Sequence, residues 1–431
     1  MLVAMPPWRP ALQVVGPDGA VFLAPGFPCA RKSRMSDVHE VRQADQPSSR
    51  HGPLRELAAL FLKLGTIAFG GPAAHIAMME EEVVRRRRWL SREDFLDLVG
   101  AVNLIPGPNS TELAIHIGHR RAGWKGLLVA GICFIVPAFV LVFAIAWGYV
   151  RFGRLPQAQS FLYGVKPVII AVVVQALWGL GRSAVKNARL GVLGFIALAA
   201  VMLGAHELLV LFAIGAAAMA FEVIAAKRPS RLSALLIPPG LFSLAGASVT
   251  GGAGVQAGTL FLVFLKVGSV LFGSGYVLLA FLRADLVERL GWMTEAQLLD
   301  AVAVGQVTPG PVFTTATFIG YLLAGPSGAV LATVGIFAPA FAFVALSGPL
   351  VPWLRKTREA GAFLDGINVA SLALMAAVTW QLGRAALSDG WAIGLAALSA
   401  VVLLRYRVNS AWLVLGGAAT GLLLRLAHLA G

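Results

Sequence analysis

Charge is what this 431-residue chain has least of: only 13% of its residues are Asp, Glu, Lys or Arg, about half the share of an ordinary soluble domain. So few charges cannot cover a soluble surface. With 58% apolar residues and a mean hydropathy of +0.79, the chain reads as one that lives in a lipid bilayer. Cysteine is nearly missing as well. Cys29 and Cys133 cannot build a metal cluster or a disulfide framework, and Cys133, within an apolar helix, reads as a small buried residue. Acidic residues are scarce, 21 against 35 Lys and Arg, for a formal charge of +14. That excess would suit nucleic acid only if it gathered on a soluble face. No segment carries a basic, aromatic-interleaved module, so nucleic acid is not an expected partner. Also lacking are a paired-His metal motif, a Gly-x-Ser-x-Gly elbow and a Walker loop. No enzyme and no cofactor is indicated, and a self-contained ATP-driven pump is disfavoured.

What the chain does have is apolar stretches of about 17–27 residues, recurring from residue 54 to the end, long enough to be membrane helices. The fold class expected is therefore an all-α polytopic membrane protein. Residues 1–53 are polar and rich in Pro and Arg, without a signal peptide's apolar core, and read as a disordered extension. Met35 opens a more ordinary leader, which makes it an alternative start. Continuous helices are expected at about 124–150, 161–181, 189–205 and 206–226. Residues 227–258 join two halves through a basic patch and a Pro/Gly-interrupted stretch that is itself a candidate crossing.

The halves are copies. Phe61-Leu62-Lys63-Leu64-Gly65 returns as Phe264-Leu265-Lys266-Val267-Gly268, and Pro106-Gly107-Pro108 as Pro309-Gly310-Pro311, at a constant shift of 203. Residues 61–108 and 264–311 share 16 identities in 48 ungapped positions. After a slip of one, the shift of 202 carries Pro137 to Pro339 and Trp178 to Trp380. Two repeats, 54–226 and 259–428, are expected. Lys and Arg cluster in the first repeat at Arg85–Arg88, Arg120–Lys125, Arg182–Arg189 and Lys227-Arg228, but in the second at Arg355–Arg358 and Arg405–Arg407, the alternate loops. That alternation, blurred only by Arg151 and Arg154, is expected of repeats lying in opposite orientations. About 10–13 membrane segments follow, some re-entrant.

Proline has no amide donor and fixes its own φ, so no continuous helix runs through either Pro-Gly-Pro. Broken backbone within apolar sequence persists only where protein or water covers it, and paired breaks in two halves point to a transporter's central site. At Pro106–Thr111 a helix restarts, with Asn109, Ser110 and Thr111 offering oxygens and open amides suited to an anion; the second restart presents Thr314 and Thr315. Gly70-Gly71 and Gly273-Ser274 are candidates for two further reversals, and the four elements are expected to converge. Lys63 and Lys266 lie in apolar sequence, a costly place for charge, and as a pair suit a dianion; the alternative is snorkelling to the interface. Asp97 and Asp300, with Asn103 and Gln306, also recur. The aspartates follow helix-start signals (Ser91 to Asp94; Thr294 to Glu295) and read as caps, lysine partners or proton acceptors. Glu112, His75 and His116 occur only in the first half and are candidates for coupling or support.

These motifs carry a resemblance. Phe69-Gly70-Gly71-Pro72-x-x-His75, the segment ending Arg86-Arg87-Arg88-Trp89-Leu90, and Pro106-Gly107-Pro108, with their shorter second-half versions, resemble the chromate ion transporter (CHR) family in its long, two-domain type. The resemblance covers roughly residues 54–428. It implies fused halves in opposite orientation in a bacterial inner membrane, exporting chromate and so conferring chromate resistance, with membrane-potential or proton-linked energetics. It leaves room for a homodimer. Read from residues alone, the chain stops at a carrier of small oxyanions. Sulfate is the near alternative, since both anions are tetrahedral dianions of similar size, and an anion channel is the alternative of another class.

Overall fold

The computed structural model describes residues 52–69, 71–153, 156–225, 255–272, 277–387, 389–406, 408 and 410–426. All regular elements among them are helical. The expected N-terminal extension and most of the 227–258 linker lie outside the described residues, as do Gly70, Gly273 and Ser274.

The first repeat runs α1 (Pro53–Ile67), α2 (Gly71–Glu80) ending in a π-helical turn at Glu81–Arg86, α3 (Arg92–Val102), α4 (Asn109–Phe152), α5 (Pro156–Ala184), α6 (Ala188–Met202) and α7 (Glu207–Ala225). The second retraces it: α8 (Ala257–Val270), α9 (Leu278–Leu282) with a π-helical turn at Arg283–Arg289, α10 (Glu295–Val307), a 3-10 turn at Val312–Thr314, α11 (Thr315–Lys356), α12 (Arg358–Ala386), α13 (Gly390–Tyr406) and α14 (Ser410–Leu426). Among the described residues, five helices are long and apolar enough to cross a membrane, and α6, α8, α13 and α14 are shorter apolar helices. The protein is an all-α polytopic membrane protein built of internal repeats.

Local chemistry sets the boundaries. Ser91 caps α3 by accepting from the Asp94 amide at 3.0 Å. Thr294 caps α10 in a reciprocal box whose partner is Gln297 rather than the adjacent Glu295 of the sequence reading. Residues 54–79 divide into α1 and α2 because Ala68 turns extended (φ −79°, ψ 94°). Leu271, its counterpart, does the same after α8 (φ −82°, ψ 105°).

Helix α4 is a hairpin. Residues eight apart in a straight helix are about 12 Å apart, yet Gly118 lies against the Gly126 carbonyl and Ala130. The chain reverses at Ala122 (φ −146°, ψ 27°) and Gly123 (φ +59°, ψ −148°). Helix α11 repeats the reversal at Ala324 and Gly325 (φ +65°), with Gly320 against Gly328 and the Thr317 and Thr333 hydroxyls 2.7 Å apart across the arms. Glycine serves both turns because residues with a side chain rarely adopt positive φ, and the glycines on the arms leave out the Cβ where the backbones touch.

In lipid there is little hydrophobic drive between helices, so close approach of small residues carries association. Gly65 of α1 abuts the Phe134 carbonyl of α4, and Gly268 of α8 abuts the Ile336 carbonyl of α11. Leu57, Leu60, Phe61 and Leu64 form the buried stripe of α1, with Phe61 edge-on to Phe134 at 6.3 Å. The long fifth helices exchange partners. Helix α5 packs on α13 and α14, and α12 packs on α6 and α7, through Gly164 against Gly417 and Gly421 and, symmetrically, Gly366 against Gly215 and Ala218. The repeats are thus interlocked rather than side by side. Outward faces of α6 and α13 expose Phe195, Ile196, Leu398 and Val401, as lipid-facing surfaces do.

Candidate functional site

The two Pro-Gly-Pro breaks meet the two α1/α8 breaks across the repeat boundary. The Gly107 amide donates to the Leu271 carbonyl at 2.8 Å, and the Gly310 amide to the Ala68 carbonyl at 2.9 Å. Leu271 and Ala68 are themselves related by the 203 shift. Each half therefore closes the open helix end of the other, the reciprocal pattern of a pseudo-two-fold. Both glycines hold positive φ, +138° at Gly107 and +90° at Gly310. The restarts face each other over a narrow gap: Pro108, Asn109 and Ser110 on one side, Pro311, Val312 and Phe313 on the other.

Beside this crossing lies a cavity of about 580 Å³. Its deep wall holds Gly71, Pro72, Asn103, Asn109 and Phe272, and the Asn109 side-chain amide donates to the Asn103 carbonyl oxygen at 2.8 Å. Helices α5 and α12 form the rest, with Asn368 and Ser371 polar among apolar neighbours, and Lys186 and Asp365 also line it, joined at 2.7 Å. Internal symmetry breaks here. The counterpart of Asn368 is Lys166, and that of Asn103 is Gln306. Lys166 Nζ lies 3.4 Å from Asp300 Oδ1 while the Tyr149 hydroxyl donates to Asp300 Oδ2 at 2.8 Å. Gln306 and Asp300 are buried.

Other sequence candidates fall elsewhere. Lys63 donates to Glu82 at 2.8 Å, and Lys266 to both oxygens of Asp285 at 2.9 and 3.0 Å; neither lysine lines the cavity. Each acid sits in a π-helical turn 19 residues past its lysine, a recurrence visible in the sequence. Through its hydrogen bond, the Lys63 ammonium holds the Glu82 carboxyl below the usual carboxylate range, with Arg87 adding to it. The acidic partners of Lys63 and Lys266 are therefore Glu82 and Asp285, while Asp300 partners a lysine as expected, Lys166. Asp97 is exposed midway along α3. Thr314 and Thr315 donate to the Pro311 and Val312 carbonyls, both at 2.8 Å, which commits their hydroxyls to the turn. His75 Nε2 bonds the Ala68 carbonyl at 3.0 Å, the same oxygen that receives Gly310. It braces the break. Buried His116 lies 3.5 Å from Ser347 Oγ. Thr111 is buried with its hydroxyl unpartnered, and Glu112 is fully buried against Gly107 with neither carboxyl oxygen hydrogen-bonded. Sequence reasoning passed over Lys166, Tyr149, Lys186 and Asp365, because their partners lie 134 to 179 positions away and only folding joins them.

Interlocked repeats, crossed helix breaks and a largely apolar cavity with a few polar groups define a polytopic membrane transporter. The chromate transporter profile matches residues 55–221 and 258–422. The chain belongs to the chromate transporter family, which places it among transporters rather than enzymes. It is 34% identical over 388 residues to the chromate transport protein of Pseudomonas aeruginosa, covering 85% of this chain and 91% of that one. It is 32% identical over 374 residues to the chromate transport protein of Cupriavidus metallidurans, covering 85% and 92%. A probable chromate transport protein of Synechococcus elongatus is 32% identical over 354 residues, covering 80% and 89%. No solved structure matches the chain.

Proposed function

We propose that this protein is a secondary carrier that exports chromate from the cytoplasm across a bacterial inner membrane, with the anion resting in the cavity beside Asn103 and Asn109. The observation that carries the reading is the reciprocal crossing of helix breaks, which sets polar backbone and side chains beside an open cavity within an apolar bundle. Such breaks are how carriers present amides and dipoles to an anion at membrane depth.

Direction follows from charge. The cavity reaches the end of α5, where Arg182, Lys186 and Arg189 gather, and basic loops face the cytoplasm. Lys166 lies 20 residues back along α5 and its following loop, about 30 Å at 1.5 Å per residue. Its pair with Asp300 would seal the opposite side. This arrangement is a cavity loaded from the cytoplasm. The repeats would lie in opposite orientations, with the first arms of α4 and α11 re-entrant, since an arm of about 13 residues spans only about 20 Å. Glu112 is the group we assign to coupling: ionisable, buried beside Gly107 and facing no hydrogen-bond partner.

The test is chromate uptake into inverted membrane vesicles from cells that express the protein, with sulfate as competitor. Uptake into such vesicles corresponds to export by the cell. Accumulation of chromate that excess sulfate barely slows supports a selective chromate carrier, whereas equal competition or carriage of sulfate makes it a general oxyanion carrier. Uptake that never responds to a counter-anion gradient would favour a channel. If neither anion moves, the reading fails.

A further inference from the structure

Of the described residues lining the cavity, Lys186 is the one cation and Asp365 the one anion. We infer that Lys186 is the cationic anchor for a tetrahedral oxyanion dianion in this cavity, and that Asp365 is a built-in competitor which holds the ammonium until the anion takes its place. The inference rests on the carrier reading above and names the charge that reading leaves unassigned.

A dianion entering a largely apolar cavity needs compensating positive charge, because leaving it unpaired is far costlier than burying a neutral polar group. Three other lysines are committed elsewhere: Lys63 to Glu82, Lys266 to Asp285 and Lys166 to Asp300. Lys186 differs in three ways. It borders the cavity. It sits just past the C-terminus of α5 with its side chain 60% exposed, so its four-carbon stem is free to swing. Its partner belongs to the other repeat, since Asp365 lies on α12 and the 2.7 Å pair bridges α12 and the end of α5 across the cavity.

The pair is also not a product of the duplication. At the shift of 202, Lys186 corresponds to Ser388 and Asp365 to Tyr163. A staple inherited with the repeat would recur in both halves, as Lys63–Glu82 and Lys266–Asp285 do. As an ion pair this one occurs once, at the basic side; the related positions of the other half carry a hydrogen bond instead, from the Tyr163 hydroxyl to Asp389 at 2.7 Å. A half-exposed ion pair contributes little to stability, so exchanging one carboxylate for a doubly charged anion costs the fold little while raising the Coulomb attraction. Asn368, one turn along α12 from Asp365, lines the same wall and adds hydrogen-bonding capacity beside the ammonium.

The test uses the full chain, purified and reconstituted, with radiolabelled chromate and sulfate binding measured beside thermal stability. Lys186→Gln is expected to weaken binding about tenfold or more, the loss of one charge-assisted contact. Lys186→Arg should retain most of it. Asp365→Asn, which removes the competitor, is expected to tighten binding about threefold or more. A merely structural pair predicts otherwise: both single variants would lose stability and binding alike, and the charge-swapped Lys186→Asp/Asp365→Lys protein would recover both. Wild-type affinity in Lys186→Gln, or no tightening in folded Asp365→Asn, overturns the inference while leaving the carrier reading intact. A wild-type protein that binds neither anion overturns both.

Discussion

Replacing Gly310 by Ala should weaken the crossed breaks by about 2–5 kcal/mol. The residue sits at φ +90°, where its amide reaches the Ala68 carbonyl at 2.9 Å. An L-residue held in left-handed backbone costs roughly 1–2 kcal/mol. A Cβ there would come within 2.8 Å of the Ala138 Cβ and 3.0 Å of the Gly65 carbonyl oxygen. Neither neighbour has a flexible end to rotate away, so overpacking adds about 1–3 kcal/mol. Against a total stability of about 5–15 kcal/mol, this is a large perturbation placed at the crossing of the helix breaks. The control is Gly394→Ala in α13, where a Cβ meets nothing within 4 Å. Thermal unfolding of both variants in detergent, with chromate uptake alongside, decides the matter. Gly310→Ala should unfold several degrees below wild type and transport poorly, and Gly394→Ala should match wild type. Equal stability and equal transport in the two variants would refute the claim that the crossed breaks hold the site together.

Three further outcomes follow. Lys166→Met should destabilise by about 3 kcal/mol, the low end for a buried pair because Lys166 keeps 24% of its side chain exposed. The Lys166→Met/Asp300→Asn double variant should recover most of that loss in the same unfolding assay. Glu82 is held below the usual carboxylate range in the folded state. Its share of stability is therefore complete above the unfolded value near pH 4.5 and fades as pH falls through the lower folded value. Wild-type protein should thus lose stability between about pH 5 and pH 3 more steeply than Glu82→Gln, and parallel pH profiles would contradict this. Reporters fused after residue 231 and after residue 428 should face opposite sides of the membrane; the same side would contradict inverted repeats.

The repeat was legible because duplication leaves an arithmetic trace: Pro106-Gly107-Pro108 and Pro309-Gly310-Pro311 stand at one shift, and both helix breaks follow from proline chemistry alone. Helices α5, α6 and α7 were placed within a few residues because their apolar runs end at Arg182–Arg189 and near His206. The partner exchange between α5 and α14 was not legible. Gly164 and Gly417 carry no mark telling a near partner from one 253 positions away, and the apolar periodicity is the same either way. The partners of the lysines were illegible for a related reason. Charge at membrane depth demands a partner, but whether that partner is substrate or protein depends on where the next element folds back. The π-helical turns bring Glu82 and Asp285 onto Lys63 and Lys266. The cavity's polar wall arises where the copies differ, at Asn368 against Lys166 and Asn103 against Gln306. Asn103 and Gln306 were legible as a matched pair of polar positions, whereas Asn368 and Lys166 carry no motif that marks them.

The claim that the anion lies beside Asn103 and Asn109 is tested most directly by chromate binding to purified Asn109→Asp protein. The substitution keeps size and shape but sets a carboxylate in the cavity wall. A carboxylate about 5 Å from a dianion costs several kcal/mol at an effective dielectric constant of about 20, a loss of about a hundredfold or more in affinity. The account predicts that loss with thermal stability near wild type. Wild-type chromate affinity in a folded Asn109→Asp protein would place the anion elsewhere and contradict the account.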